Sequence, residues 1–171
     1  MSHRALNQKF GFQPALSGKA PPRPTTVLFG HDDRAIYVAF LCDGQREPKS
    51  QDRQRDGDVW EDDAVEVFLR PPGSEAYHHF ALDSAGVQYE ARCAGGIDQG
   101  WNGEWQAKTG RTAEGWIAEI AIPWSTLGAR AEGLWRANFG REEADTAVAS
   151  SWSPTFGAGF HEPGRFGEVA F

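Results

Sequence analysis

The stretch Tyr77-His-His-Phe-Ala-Leu-Asp-Ser-Ala-Gly-Val-Gln-Tyr-Glu-Ala-Arg-Cys93 decides the fold class. Two runs of strand-forming residues flank the short turn Asp83-Ser84-Ala85-Gly86, and in the second run Val87, Tyr89 and Ala91 alternate with Gln88, Glu90 and Arg92. Alternation of period two marks a strand, and so short a turn makes the pair a hairpin. The alternation assigns Val87, Tyr89 and Ala91 to the inward face and Gln88, Glu90 and Arg92 to the outward one. Upstream, Val65, Val67 and Leu69 alternate with Ala64, Glu66 and Phe68 until Pro71-Pro72-Gly73 ends the strand. Further upstream, Thr25 to Phe29 and Ile36 to Cys42 flank a polar turn and read as another hairpin. Downstream, Trp116, Ala118, Ile120 and Ile122 share one face of a strand that stops at Pro123, and Trp124 to Gly128 predicts one helical turn. Leu134 to Phe139 and Val169 to Phe171 complete roughly nine or ten short strands with no long helix, which predicts an all-β fold: an antiparallel two-sheet β-sandwich, jelly-roll-like, with little helix.

Composition agrees. The 171 residues suit one domain, and 7 Trp, 11 Phe, 20 Gly and 10 Pro beside a single Met favour strands and loops. Residues 1–24, with Pro14 and the run Pro21-Pro22-Arg23-Pro24, are expected to be an irregular segment packing on the domain formed by 25–171, with Phe10 and Phe12 plugged into the core. Asp43 to Asp58 is charged and polar throughout and reads as a solvated loop. A net charge of −7 with scattered Lys and Arg argues against nucleic acid as a partner, and no apolar run is long enough to cross a membrane as a helix. Met1-Ser-His-Arg4 carries no apolar leader, and the domain is expected to be monomeric. Cys42 and Cys93 read as two buried thiols, with a disulfide open if their strand ends are neighbours.

Trp60-Glu-Asp-Asp-Ala-Val-Glu-Val-Phe-Leu69, Tyr77-His-His-Phe80 with Asp83 and Gly86, Trp116-Ile-Ala-Glu-Ile-Ala-Ile-Pro123 with Leu127-Gly128, and Trp135-Arg-Ala-Asn-Phe139 with Arg141 together resemble the family 9 carbohydrate-binding modules, as do Ser151-Trp-Ser-Pro154 and Phe166-Gly167. That resemblance implies a sandwich that binds a mono- or oligosaccharide without cleaving it, stacking a sugar, in the best-known members its reducing end, between two tryptophans. It also implies bound calcium in many members, an extracellular or periplasmic setting, and association with a larger carbohydrate-active protein. By the family motif Trp60 aligns with one wall of the aromatic clamp and Glu66 with a carboxylate that accepts sugar hydroxyls.

Sugars offer C–H faces and hydroxyls, so a site for them needs aromatic plates and planar polar groups. Trp152, in the polar context Ser-Ser-Trp-Ser-Pro, is the candidate second wall, and Trp101, in Gln99-Gly-Trp-Asn-Gly103, competes with it. Arg92, Asn138 and Arg141 are candidate donors, while Trp105, Trp116 and Trp135 read as core. Turn carboxylates Asp32, Asp33, Asp62, Asp63 and Asp83 are the stock from which calcium ligands would come, without EF-hand spacing. His78 and His79 point to opposite faces of one strand. Three other readings remain open. Glu61 and Glu66 fit the spacing E-x-D-x-x-E of some β-sandwich glycoside hydrolases, but five strand residues separate them by about 16 Å and leave them on opposite faces. Related domains hold haem, although Met ligation here would need Met1. A protein-interaction sandwich is the third.

Overall fold

The computed structural model describes residues 8–11, 13–14, 23–44, 47–157 and 159–171. The elements are β1 (Gln8–Gly11), β2 (Gln13–Pro14), β3 (Thr25–His31), β4 (Ala35–Asp43), β5 (Ala64–Arg70), β6 (Tyr77–Asp83), β7 (Gln88–Cys93) and β8 (Ile97–Asp98). They continue with β9 (Gln106–Arg111), β10 (Gly115–Pro123), the single turn α1 (Trp124–Leu127), β11 (Leu134–Glu143), β12 (Val148–Ser151) and β13 (Gly167–Ala170). One sheet runs β1-β3-β4-β10-β9 and the other β2-β12-β11-β5-β6-β7-β8, with β13 pairing β11. All described pairings are antiparallel. The fold is the all-β two-sheet sandwich that the alternation predicts.

The first segment is not irregular throughout. Gln8–Gly11 pairs with β3 in one sheet and Gln13–Pro14 with β12 in the other, so this stretch bridges both layers. Strand pairing tolerates Pro14 because it sits on an outermost strand, where a missing N–H breaks no central ladder. The side chains of Phe10 and Phe12 lie outside the described residues.

Between the sheets, Val27, Phe29, Ile36, Val38, Phe40, Trp116, Ala118, Ile120 and Ile122 from one layer meet Val65, Val67, Leu69, Phe80, Leu82, Trp135, Ala137 and Phe139 from the other. Burying each large side chain contributes about 1.5–3 kcal/mol. Trp105, Trp116 and Trp135 are core, as expected. Cys42 and Cys93 are free and buried, and they belong to different apolar clusters.

Both faces of the larger sheet are covered, and this changes the reading of β7. The register aligns Val67 with Phe80 and Phe80 with Glu90, so Gln88, Glu90 and Arg92 share the inward face. Tyr89 and Ala91 face away from the smaller sheet, where they pack with Val59, Ala81 and Trp60. Alternation shows which residues share a face, but a strand covered on both sides offers no polar face to identify. Glu90 is fully buried because Arg55 grips both of its oxygens at 2.7 Å and Trp105 Nε1 donates to it at 2.8 Å. The segment read as a solvated loop is thus tied down: besides Arg55, Arg53 pairs with Glu61 and Asp62, and the Lys49 amide donates to Asp63.

Arg141, a candidate ligand donor, is instead a tie between the layers. Fully buried on β11, its guanidinium donates to Pro24 O at 3.1 Å, Thr25 Oγ1 at 3.0 Å and Asp43 O at 3.2 Å. These acceptors lie where β3 begins and β4 ends, so one side chain closes that end of the sandwich. Arg141→Leu leaves several buried acceptors without donors and is expected to cost about 3 kcal/mol, read as a lower urea midpoint.

Candidate functional site

Strand alternation places Ala64, Glu66 and Phe68 of β5 on the outward face of the larger sheet, beside His79 and Ala81 of β6 and Tyr89 of β7. Two pieces of irregular chain roof this face. One is the 3-10 turn Val59–Glu61, which seats Val59 against Ala81, Tyr89 and Ala91 and brings Trp60 with it. The other is the stretch Phe160 to Phe166, whose two phenylalanines pack on Phe68, Tyr77 and Cys93. Phe160 reaches the sheet because Gly140 gives it room: a Cβ there would lie 2.6 Å from its ring.

Between the two roofs lies a cavity of about 330 Å³ lined by Trp60, Glu66, His79, Tyr89, Ile97, Gln99, Glu142, Gly159, Phe160 and His161. Trp60 is half-buried and stands edge-on to Tyr89, with ring centres 5.0 Å apart at 88°. His79 stacks flat on Phe68 at 4.3 Å and 8°, and its Nε2 donates to Glu66 Oε2 at 2.6 Å. Packing therefore fixes the imidazole, and the imidazole fixes the carboxylate. His79 Nδ1 is buried without a protein partner. His161 meets the Tyr77 hydroxyl through Nδ1 at 2.8 Å, and its ring stands 4.8 Å from that of His79. Burial and the neighbouring His79 lower its pKa to about 4, so it is a neutral imidazole at pH 7.

Glu142 is the residue that sequence reasoning missed. Burial and the nearby Glu66 push its carboxyl up to about 8, so at neutral pH it is mostly protonated and can donate. The cavity thus offers a carboxylate that accepts, a carboxyl that donates and aromatic walls. A signal was available in Arg141-Glu142-Glu143: on a strand, two adjacent glutamates face opposite sides, so one of them must face the site.

The sequence candidates divide. Trp60 and Glu66 line one cavity. Trp152 does not: following β12, it lies on the inward face, packs 5.7 Å from Phe139, and occupies the space over Gly167, where a Cβ would lie 2.3 Å from its ring. The polar sequence around it concealed this, because the residue that accommodates the indole is a glycine fifteen positions on. Asn138 shares the outward face but is fully buried, and its side chain exchanges two 2.9 Å hydrogen bonds with the Ser153 backbone, which pins the chain after β12. Arg92 and Trp101 line a different cavity. Glu61 is outside the site, paired with Arg53 at 2.9 Å, which removes the proposed pairing of Glu61 with Glu66.

Four of the five turn carboxylates accept from protein donors. Asp63 accepts from the Lys49 and Ala144 amides, Asp62 from Arg53, and Asp32 from the Arg34 and Ala35 amides. Asp83 Oδ1 accepts from Ala85 and Val87, and Oδ2 is buried without a protein partner, one oxygen where calcium takes six to eight. Among the described residues no three His, Cys, Asp or Glu side chains are grouped to hold a metal ion.

The model of the carbohydrate family 9 binding domain-like family matches residues 19–171. No curated protein matches. Among solved structures, a Bacteroides uniformis ATCC 8492 protein of proposed carbohydrate-binding function superposes with a TM-score of 0.78 at 22% identity, covering 95% of this chain and 86% of the other. A family 9 carbohydrate-binding module from Caldicellulosiruptor kristjanssonii in complex with cellotriose gives 0.70 at 16% identity over 95% of this chain and 81% of its own. A family 9 module from the same organism in complex with glucose gives 0.66 at 16% identity over 94% and 83%. At these identities the likeness is one of fold.

Two outcomes follow from the site's electrostatics. Glu142 has a folded pKa above its unfolded value, so the stability it confers as a neutral acid is present below about 4.5 and lost as pH rises through about 8. Wild-type melting temperature should therefore fall relative to Glu142→Gln between pH 5 and 9 by a few degrees, each kcal/mol being worth about 2–4 °C in a domain this size. Because the buried aspartates have protein donors, EDTA is expected to leave the melting temperature unchanged, and a drop that added calcium reverses would refute this.

Proposed function

The chain belongs to the carbohydrate family 9 binding domain-like family, and from that premise we propose that it binds the end of a neutral saccharide, without cleaving it, in the cavity walled by Trp60. The observation that carries this reading is the meeting of Trp60 with Glu66 in one cavity, the indole held by Tyr89 and the carboxylate held by His79. Trp60 supplies the plate for the C–H face of a sugar ring, Glu66 accepts from one hydroxyl, and the neutral Glu142 donates to another. The cavity, at about 330 Å³, is at the small end of ligand pockets, which suits a chain terminus or a short saccharide. Cellotriose and glucose in the Caldicellulosiruptor modules support the same class of ligand.

This reading replaces a clamp of Trp60 and Trp152 with a single tryptophan plate facing His161 and Phe160. Calorimetric titration of cellotriose separates the two arrangements. Trp60→Ala and Glu66→Gln should each weaken binding roughly 30-fold, about 2 kcal/mol, while Trp152→Ala should bind within about twofold of wild type yet melt lower, having lost a packed indole. Loss of binding in a folded Trp152→Ala with Trp60→Ala unaffected would overturn the assignment. The cellotriose should be recovered intact, and reducing sugar released by wild type but not by Glu66→Gln or Glu142→Gln would make the site catalytic.

A further inference from the structure

Arg92 and Trp101 are excluded from the Trp60 cavity but lie together in another. At one end of the sandwich, a space of about 720 Å³ opens between the turn Pro71–Ala76, the strand residues His78 and Arg92, Trp101, and the chain from Ser125 to Glu132. His78 and Arg92 are cross-strand partners on the inward face, whereas the Trp60 cavity lies on the outward face of the same sheet. The neighbours His78 and His79 therefore serve different cavities, one on each side.

Three features of this space are those of a ligand site. Trp101 is half-buried and held as a fixed plate: its ring packs 5.0 Å from His78 and 6.1 Å from Phe80, and a Cβ at Gly103 would lie 2.5 Å from it. Arg92 is exposed and pairs with no carboxylate among the described residues. Its cross-strand partner Asp98 accepts from the Gly100 amide. His78 is 6% exposed, and its Nδ1 is buried with no hydrogen-bond partner. Burial and the adjacent Arg92 hold it near pH 4, so it is a neutral imidazole at pH 7.

The charge selects the ligand. In a chain of net charge −7, this lining carries Arg92 and Arg130 against the lone carboxylate of Glu132. A guanidinium matches a carboxylate in two parallel hydrogen bonds, and an indole plate matches the C–H face of a pyranose. We propose that this cavity is a second ligand site, separate from the Trp60 cavity, that takes an acidic sugar residue of a saccharide, with the uronate carboxylate on Arg92 and its ring on Trp101 above His78. The proposal does not depend on the Trp60 site binding anything.

The test is calorimetric titration of trigalacturonate, at low and at high salt, into wild type, Arg92→Gln, Trp101→Ala and Trp60→Ala, with cellotriose and acetate as controls. Wild type should bind trigalacturonate and bind it more weakly as salt rises. Arg92→Gln and Trp101→Ala should each lose about tenfold or more, and Trp60→Ala should bind within about twofold of wild type. Arg92 is exposed, so Arg92→Gln should melt with wild type, which keeps the test valid even if Trp101→Ala fails to fold. Absence of binding at millimolar trigalacturonate would overturn the proposal. So would loss in Trp60→Ala, which would assign the acidic sugar to the first cavity, or displacement by equimolar acetate, which would reduce the site to a simple anion contact. Because cellotriose reads the first site and trigalacturonate the second, failure of either leaves the other standing.

Discussion

Everything in this molecule depends on the register of β11, β5, β6 and β7, the four central strands of a sheet buried on both faces. Phe139, Val67, Phe80 and Glu90 align across the sheet on one side, and Asn138, Phe68, His79 and Ala91 on the other. A slip of one residue between β5 and β6 would put His79 into the sandwich core and Phe80 into the Trp60 cavity. In a sheet with one wet face such a slip is opposed only by the loss of buried apolar area. Here it is opposed twice, because the slipped strand would also bury a histidine and an aspartate among Val65, Val67 and Leu69. The stacking of His79 on Phe68 and its bond to Glu66 depend on this same register, so the specification of the fold and the preorganisation of the site are one constraint.

The fold was legible because its signal is local. Runs with period two, broken by Pro71-Pro72-Gly73 and by Pro123, determine strands and their ends wherever the chain sits. The site was legible in part, and the boundary is physical. Trp60 and Glu66 lie on one short stretch whose motif carries both. Trp152 misled because its partners, Phe139 and Gly167, are remote in sequence, and a polar neighbourhood on the chain says nothing about the neighbourhood in space. Arg141 and Asn138 misled in the same way: each is a polar residue near a strand end, and each spends its hydrogen bonds on backbone from a distant segment. The faces of β7 were read inverted because Glu90, a residue type that rarely lies in a core, does so here with Arg55 and Trp105 as partners.

That buried ion pair explains the role of the long charged connection between β4 and β5. A carboxylate with no exposure is costly unless fully paired, and Arg55 supplies two hydrogen bonds to it from a loop that would otherwise have little reason to stay on the sheet. Arg53 repeats the device at Asp62, and the Lys49 backbone amide donates to Asp63, immediately before β5. The 3-10 turn carrying Trp60 lies between these anchors. The turn that carries the indole is therefore held against the sheet both by the packing of Val59 and Trp60 and by Arg53, Arg55 and the Lys49 amide up the chain.

The two faces of the larger sheet also sort chemistry by charge. On the outward face, Glu66 and Glu142 lie close enough that burial and mutual repulsion keep one of them protonated, which makes the pair an acceptor beside a donor. Such a pair complements adjacent hydroxyls and opposes an anion, since a carboxylate entering there would add a further negative charge to a desolvated space. On the inward side, at the end of the sandwich, Arg92 and Arg130 face a neutral His78, and the same entering carboxylate would find its counter-charge. Both cavities carry a half-buried tryptophan, so they differ in the charge of their polar partners rather than in their aromatic plates. The segment Ile97 to Trp101 contributes Gln99 to one cavity and Trp101 to the other, so the chain passes between the two environments within a few residues. Its course, set by the Asp98 turn and by the seating of Trp101 over Gly103, keeps a cavity lined by two glutamates and a cationic one apart on a single small domain.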